Sequence, residues 1–101
     1  MIVYNDTTKV DHEIVEEWVS WQKENYIPEV MATGFCTGFR FYKLLDHDDD
    51  EGRIFITQFL INNRQDYDTL ITRFLASLKK KTSEKWGDKA LSFYTLLQNM
   101  E

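Results

Sequence analysis

The chain is 101 residues long, room for a single domain, 1–101, and one modest core. A hydrophobic content of 43%, with three Trp, five Tyr and seven Phe, indicates packed order rather than disorder. The net charge of −5 arises in one place. Asp46, Asp48, Asp49, Asp50 and Glu51 supply five of the seventeen acids, and the rest are balanced by twelve Lys and Arg. Without a basic surplus, nucleic acid is not an expected partner. The start, Met1 to Asp6, does not read as a signal peptide, and no stretch approaches the roughly 20 apolar residues of a membrane span. A lone cysteine, Cys36, precludes an internal disulfide and suits a reducing cytoplasm.

Residues 2 to 9 mix β-branched and aromatic residues with polar ones and read as a first strand. Asp11 can cap a helix, with Glu13, Glu16 and Glu17 in its early turns. Ile14, Trp18 and Trp21 give that helix an apolar face, and at this spacing both tryptophans read as structural anchors. Pro28 should break or kink the helix near residues 25 to 28 and open a fresh turn closed by Gly34. Phe35 to Leu45 reads as a long strand, and Arg53 to Ile61 as its partner. Asn63 caps a second helix, striped by Tyr67, Leu70, Ile71, Phe74, Leu75 and Leu78 and ended by Gly87. Lys89 to Gln98 reads as a last strand. The order βαββαβ predicts an α+β, ferredoxin-like fold: a four-stranded antiparallel sheet with both helices on one face.

If the middle hairpin is symmetric about Asp49, Phe39 faces Phe59, Phe41 faces Thr57 and Lys43 faces Phe55. Arg40 then faces Gln58, Tyr42 faces Ile56 and Leu44 faces Ile54, on the opposite side. The phenylalanine side belongs under the helices. The other side keeps Tyr42, Leu44, Ile54, Ile56 and Leu60, an apolar area at or above the ~300–600 Å² usual for a monomer. A second copy of the chain is the expected cover, through this open face.

Several segments together resemble one bacterial family of unknown function: Ile2-Val3-Tyr4-Asn5, the Trp18-x-x-Trp21 helix, and Ile27-Pro28-Glu29-Val30-Met31-Ala32-Thr33-Gly34-Phe35. Arg40 with Leu44-Leu45, the Gln58-Phe59 pair, and Trp86-Gly87-Asp88-Lys89 through Phe93 to Leu97 join the resemblance. The resemblance implies the dimeric α/β-barrel superfamily, built on a ferredoxin-like domain. Its members include small monooxygenases, haem-degrading and dismutase-like enzymes, and regulatory ligand-binding domains. The pattern of the family it resembles usually places a histidine before Ile-Pro-Glu-Val; this chain has Tyr26 there, which weakens an enzymatic reading.

Chemistry-bearing motifs are scarce. The loop Asp46 to Gly52 lacks the glycine and glutamate spacing of an EF-hand, so no calcium or other metal site is expected. His12 and His47 have no ligand partners at metal spacing apart from that loop, and Cys36 has no adjacent base. No serine sits in a Gly-x-Ser-x-Gly context, and four glycines form no phosphate loop. Lys79, Lys80, Lys81, Lys85 and Lys89 could form an anion or RNA stripe, but lysines late in a helix complement its negative end, the preferred reading. Residues 53 to 57 lack the glycines of an RNA-recognition strand.

The polar residues interrupting apolar strands, Asn5, Arg40, Gln58 and Tyr94, together with Trp21, are the candidate ligand-binding set. Arg40 and Gln58 read first as a structural hydrogen bond, and second as a grip on an anionic or carbonyl-bearing ligand. No catalytic residue and no cofactor is expected. The sequence therefore points to a non-catalytic homodimeric module that binds a small hydrophobic or anionic ligand, or a partner. The alternative is a cofactor-free, monooxygenase-like enzyme acting on an aromatic or hydrophobic substrate.

Overall fold

The computed structural model of the chain describes residues 1–46 and 52–101. Strand β1 spans Ile2–Val10, and Asp11 then turns the chain by accepting a hydrogen bond from the Glu13 amide at 2.9 Å. After a 3₁₀ turn, His12–Ile14, helix α1 runs over residues 15–32. It is not broken at Pro28. Val15–Trp21 is α-helical, Gln22–Tyr26 forms a π turn, and Ile27–Ala32 is α-helical again. The Ile27 amide reaches back five residues to the Gln22 carbonyl. That wider turn shifts the hydrogen-bond register, so the carbonyls ahead of Pro28 escape the α geometry its ring would strike. Gly34, at φ 83°, lets the chain leave the helix.

The next strand is shorter than the sequence implies. Strand β2 covers Gly38–Lys43 rather than residues 35 to 45. Phe35 instead turns inward, its ring 6.0 Å from Phe74, which commits the first residues to climbing from helix layer to sheet. Strand β3 is Arg53–Ile61. Asn63 caps helix α2 by accepting from the Asp66 amide at 2.9 Å. This helix covers residues 64–86, with a π turn of its own at Ile71–Leu75, and Gly87 ends it at φ 58°. Strand β4, Ala90–Gln98, closes the sheet.

The sheet order is β2-β3-β1-β4, all pairs antiparallel. The hairpin register is the expected one: Phe39 opposite Phe59, Arg40 opposite Gln58, Tyr42 opposite Ile56, Lys43 opposite Phe55. Helix-facing side chains alternate along the inner strands, Tyr4, Asp6, Thr8 and Val10 on β1, and Phe55, Thr57, Phe59 and Ile61 on β3, all buried. One side of the core gathers Val10, Trp18, Phe55 and Trp86; the other gathers Tyr4, Tyr26, Ile27, Val30, Phe59, Leu70 and Leu75. Trp18 packs its ring 5.1 Å from Phe55, the anchoring role expected of it. Phe39 faces the helix side yet stays 44% exposed, because β2 is an edge strand that the helices do not reach across.

Where β3 begins, Gly52 lies against β1. A Cβ there would meet the Val10 carbonyl oxygen at 2.5 Å. Gly52→Ala should lower stability by about 1–3 kcal/mol, the cost of overpacking against rigid backbone. A urea midpoint unchanged by the substitution would refute that reading.

Candidate functional site

The face of the sheet turned away from the helices is ordered in rows. One row runs Arg40–Gln58–Asn5–Thr95 across all four strands. It is polar throughout. Gln58 donates from Nε2 to Asn5 Oδ1 at 3.1 Å, and Asn5 donates from Nδ2 to Thr7 Oγ1 at 3.2 Å. Arg40 is exposed on the edge strand and donates from Nη1 to the Phe39 carbonyl at 2.9 Å. Rows on either side are largely apolar: Tyr42–Ile56–Thr7–Phe93 and Leu44–Ile54–Lys9–Leu91 on one, Gly38–Leu60–Val3–Leu97 on the other. Phe93 is 72% exposed, Leu91 53%, Tyr42 49% and Leu97 45%. These side chains stay exposed because, among the described residues, no helix lies over this face.

A second polar row lies on the opposite face, beneath the helices: Thr57 on β3, Asp6 on β1 and Tyr94 on β4. Gln22, in the π turn of α1, donates from Nε2 to Thr57 Oγ1 at 3.3 Å. Asp6 is 5% exposed, and Thr8 donates its hydroxyl to Asp6 Oδ1 at 2.9 Å. Ser92 Oγ lies 2.7 Å from the Thr8 hydroxyl oxygen, within hydrogen-bond distance. Tyr4 stacks on Tyr94 at 5.7 Å and 9°, and its hydroxyl, buried, has no hydrogen-bond partner among the described residues. The Lys79 ammonium, from α2, lies 3.9 Å from the centre of the Tyr94 ring and 5.7 Å from that of Tyr4.

Burial dominates the electrostatics of this cluster. It pushes the Asp6 carboxyl above the usual aspartate range, against the opposing pull of the Thr8 and Ser92 hydroxyls and the Lys79 charge. It likewise raises the Tyr4, Tyr26 and Tyr94 phenols, and the nearby Asp6 charge raises all three further. These phenols are neutral hydrogen-bonding groups at physiological pH.

Of the five residues singled out from sequence, the structure brings together Asn5, Gln58 and Arg40 in one row. It separates them from Trp21 and Tyr94, which lie on the helix side. Trp21 packs edge-on to Trp86 at 5.9 Å and beside Tyr26, a core role. Tyr94 belongs to the Asp6 cluster, because β4 pairs with β1 in the register Asp6 opposite Tyr94. Sequence reasoning missed Tyr4, Asp6, Gln22 and Lys79. The signal was present for Asp6: in a strand where Tyr4 and Val10 face the core, alternation puts Asp6 and Thr8 there too. Cys36 is buried, its thiol pushed up to about 11 by burial alone, an inert packed thiol. Among the described residues no group of three His, Cys, Asp or Glu is placed to hold a metal ion. His47 and the acids from Asp48 to Glu51 lie outside the described residues. Among the described residues no helix is long and apolar enough to cross a membrane.

Residues 1–100 match the family described as Domain of unknown function (DUF4286). The chain belongs to that family. It has no match among curated proteins. Its fold is similar to that of a dimeric ferredoxin-like protein from an uncultured marine organism, with TM-score 0.71 at 10% identity, over 99% of this chain and 95% of that one. A candidate antibiotic biosynthesis monooxygenase from Deinococcus radiodurans is similar at TM-score 0.68 and 13% identity, over 100% and 94% of the two chains. SnoaB, a cofactor-independent oxygenase from Streptomyces nogalater, is similar at TM-score 0.59 and 15% identity, over 99% and 93%. These likenesses show the fold: DUF4286, in this member, is a ferredoxin-like α+β domain, as the order of elements and the resemblance along the chain implied.

Proposed function

We propose that this chain is a non-catalytic homodimeric binding module whose two copies pack open face to open face and enclose a small hydrophobic or anionic ligand. The observation that carries this reading is the uncovered sheet face. Its exposed Tyr42, Leu44, Leu91, Phe93 and Leu97 present on the order of 500 Å² of mostly apolar surface, near the top of the range for a monomer. A standard interface needs about 800 Å² from each partner, somewhat over half of it apolar. A second copy therefore matches this face in size and character. The similar fold described as dimeric supports a dimer. Enclosed between two sheets, the Arg40–Gln58–Asn5–Thr95 row would supply amide and guanidinium donors to a carbonyl or carboxylate. It contains no nucleophile and no general base, which is why binding is preferred to catalysis. We place the module in the cytoplasm, where a lone buried thiol such as Cys36 stays reduced.

Multi-angle light scattering at micromolar concentration should return twice the 12.1 kDa chain mass. A mass of one chain under those conditions would end this reading.

One observation favours a second reading, a cofactor-free oxygenase acting on an aromatic substrate. Asp6, a buried carboxyl of raised pKa beside two tyrosines, has the character of a group that accepts a proton from a bound substrate. Oxygen uptake on adding hydroxylated aromatic compounds, abolished by Asp6→Asn, would place catalysis above binding.

A further inference from the structure

The Asp6 cluster contains the elements that recognise an organic ammonium: a carboxyl group among stacked aromatic rings. Its position near the surface is already held by an ammonium, that of Lys79, 3.9 Å from the Tyr94 ring centre. Yet Lys79 stops short. Among the described residues it makes no ion pair within 4.0 Å with Asp6 and no hydrogen bond to the Tyr4 hydroxyl, which is buried and has no partner among them. Its backbone is fixed in the last α-helical stretch of α2, so its head sits over the Tyr94 ring, 5.7 Å from the centre of the deeper Tyr4 ring. A buried hydroxyl with no partner is uncommon, because leaving one unsatisfied costs stability.

We propose that Tyr4, Asp6 and Tyr94 form a binding site for a small organic ammonium, and that Lys79 is its tethered occupant and gate. A free primary ammonium, not anchored to α2, can go deeper than Lys79 once that side chain swings out. There it donates one N–H to Asp6 and another to the Tyr4 hydroxyl, while the Tyr94 ring covers its apolar end. The site lies on the helix side of the sheet. It is independent of the open face and of the dimer proposed above.

Replacing Lys79 tests the idea by emptying the position. Lys79→Ala should melt at a lower temperature than wild type. Methylammonium chloride at roughly 50 mM should then raise its melting temperature by about 4 °C more than sodium chloride of equal strength, the shift expected for a Kd near 10 mM. The same salt should shift wild type by less than a third of that amount, because Lys79 competes. Tetramethylammonium, with no N–H to donate, should rescue less well. Adding Asp6→Asn to Lys79→Ala should remove the specific rescue. A rescue no larger than that of sodium chloride would overturn the proposal, as would one that survives Asp6→Asn. If Lys79→Ala does not fold on its own, refolding with methylammonium but not with sodium chloride supports the site, and failure in both overturns it.

Discussion

Ile56→Asp should leave a folded monomer. Ile56 lies on inner strand β3 and points away from the helices, between Tyr42 and Thr7 in the row that ends at Phe93. In an isolated protomer its side chain is only partly covered, so the substitution should cost the fold little, on the order of 0.5 kcal/mol, like most changes outside a core. In a dimer packed through this face the same change buries two carboxylates, one from each copy, among aliphatic and aromatic side chains. No acid or pairing base stands next to Ile56 in its row to compensate them. An uncompensated buried charge costs about 3–5 kcal/mol, so the dissociation constant should rise by at least a factor of ~10³. Light scattering would then give the single-chain mass of 12.1 kDa with an unchanged far-ultraviolet circular dichroism spectrum. A dimer that survives Ile56→Asp would move the interface elsewhere. A variant that unfolds would show that this face needs its partner in order to exist at all.

Asp6→Asn should make the protein more stable at neutral pH, and the gain should vanish in acid. The unfolded chain releases this proton at the ordinary aspartate value, about 3.9. The folded chain holds it to higher pH, because burial disfavours the carboxylate by more than Thr8, Ser92 and Lys79 favour it. Between those two points the folded state binds more protons than the unfolded one. Wild-type stability therefore falls as pH rises from about 4 through the folded pKa, and below about 4 the penalty is absent. Asparagine has the same shape, can still accept the Thr8 hydroxyl, and carries no charge to desolvate. At pH 7.5 the variant should be ahead by roughly 1–3 kcal/mol, the scale of removing an imperfectly compensated buried charge, and the two should converge by about pH 3.5. Urea melts at both pH values decide it. A gap that is the same at both would show that Asp6 is ionised without penalty in the folded protein. A large loss of stability at pH 7.5 would show that its charge is a structural requirement.

Much of the architecture was legible because it rests on local chemistry. Asp11 and Asn63 cap helices through their own side chains, and Gly34 and Gly87 adopt positive φ where the helices end. Loop length and alternation were enough to place Arg40 opposite Gln58. The uncovered apolar face followed from the same alternation, since βαββαβ order leaves one side of the sheet without helices. What the sequence by itself determined is thus the set of elements, the hairpin register and which residues share a face.

Tertiary structure decided the rest. A proline reads locally as a break, but the π turn at Gln22–Tyr26 carries α1 past Pro28. The position of β2 at the sheet edge left Phe39 exposed although it points to the helix side. The candidate site divided in two because a strand's alternation says which residues lie together without saying which face is inward. For β4 that was settled by pairing with β1, nearly ninety residues away in sequence, which set Tyr94 opposite Asp6 and not beside Arg40. The burial of Asp6, the orphaned Tyr4 hydroxyl and the Lys79 ammonium over Tyr94 all depend on that pairing and on where α2 crosses it. Burial and pKa are properties of a side chain's surroundings, and those surroundings come from distant parts of the chain.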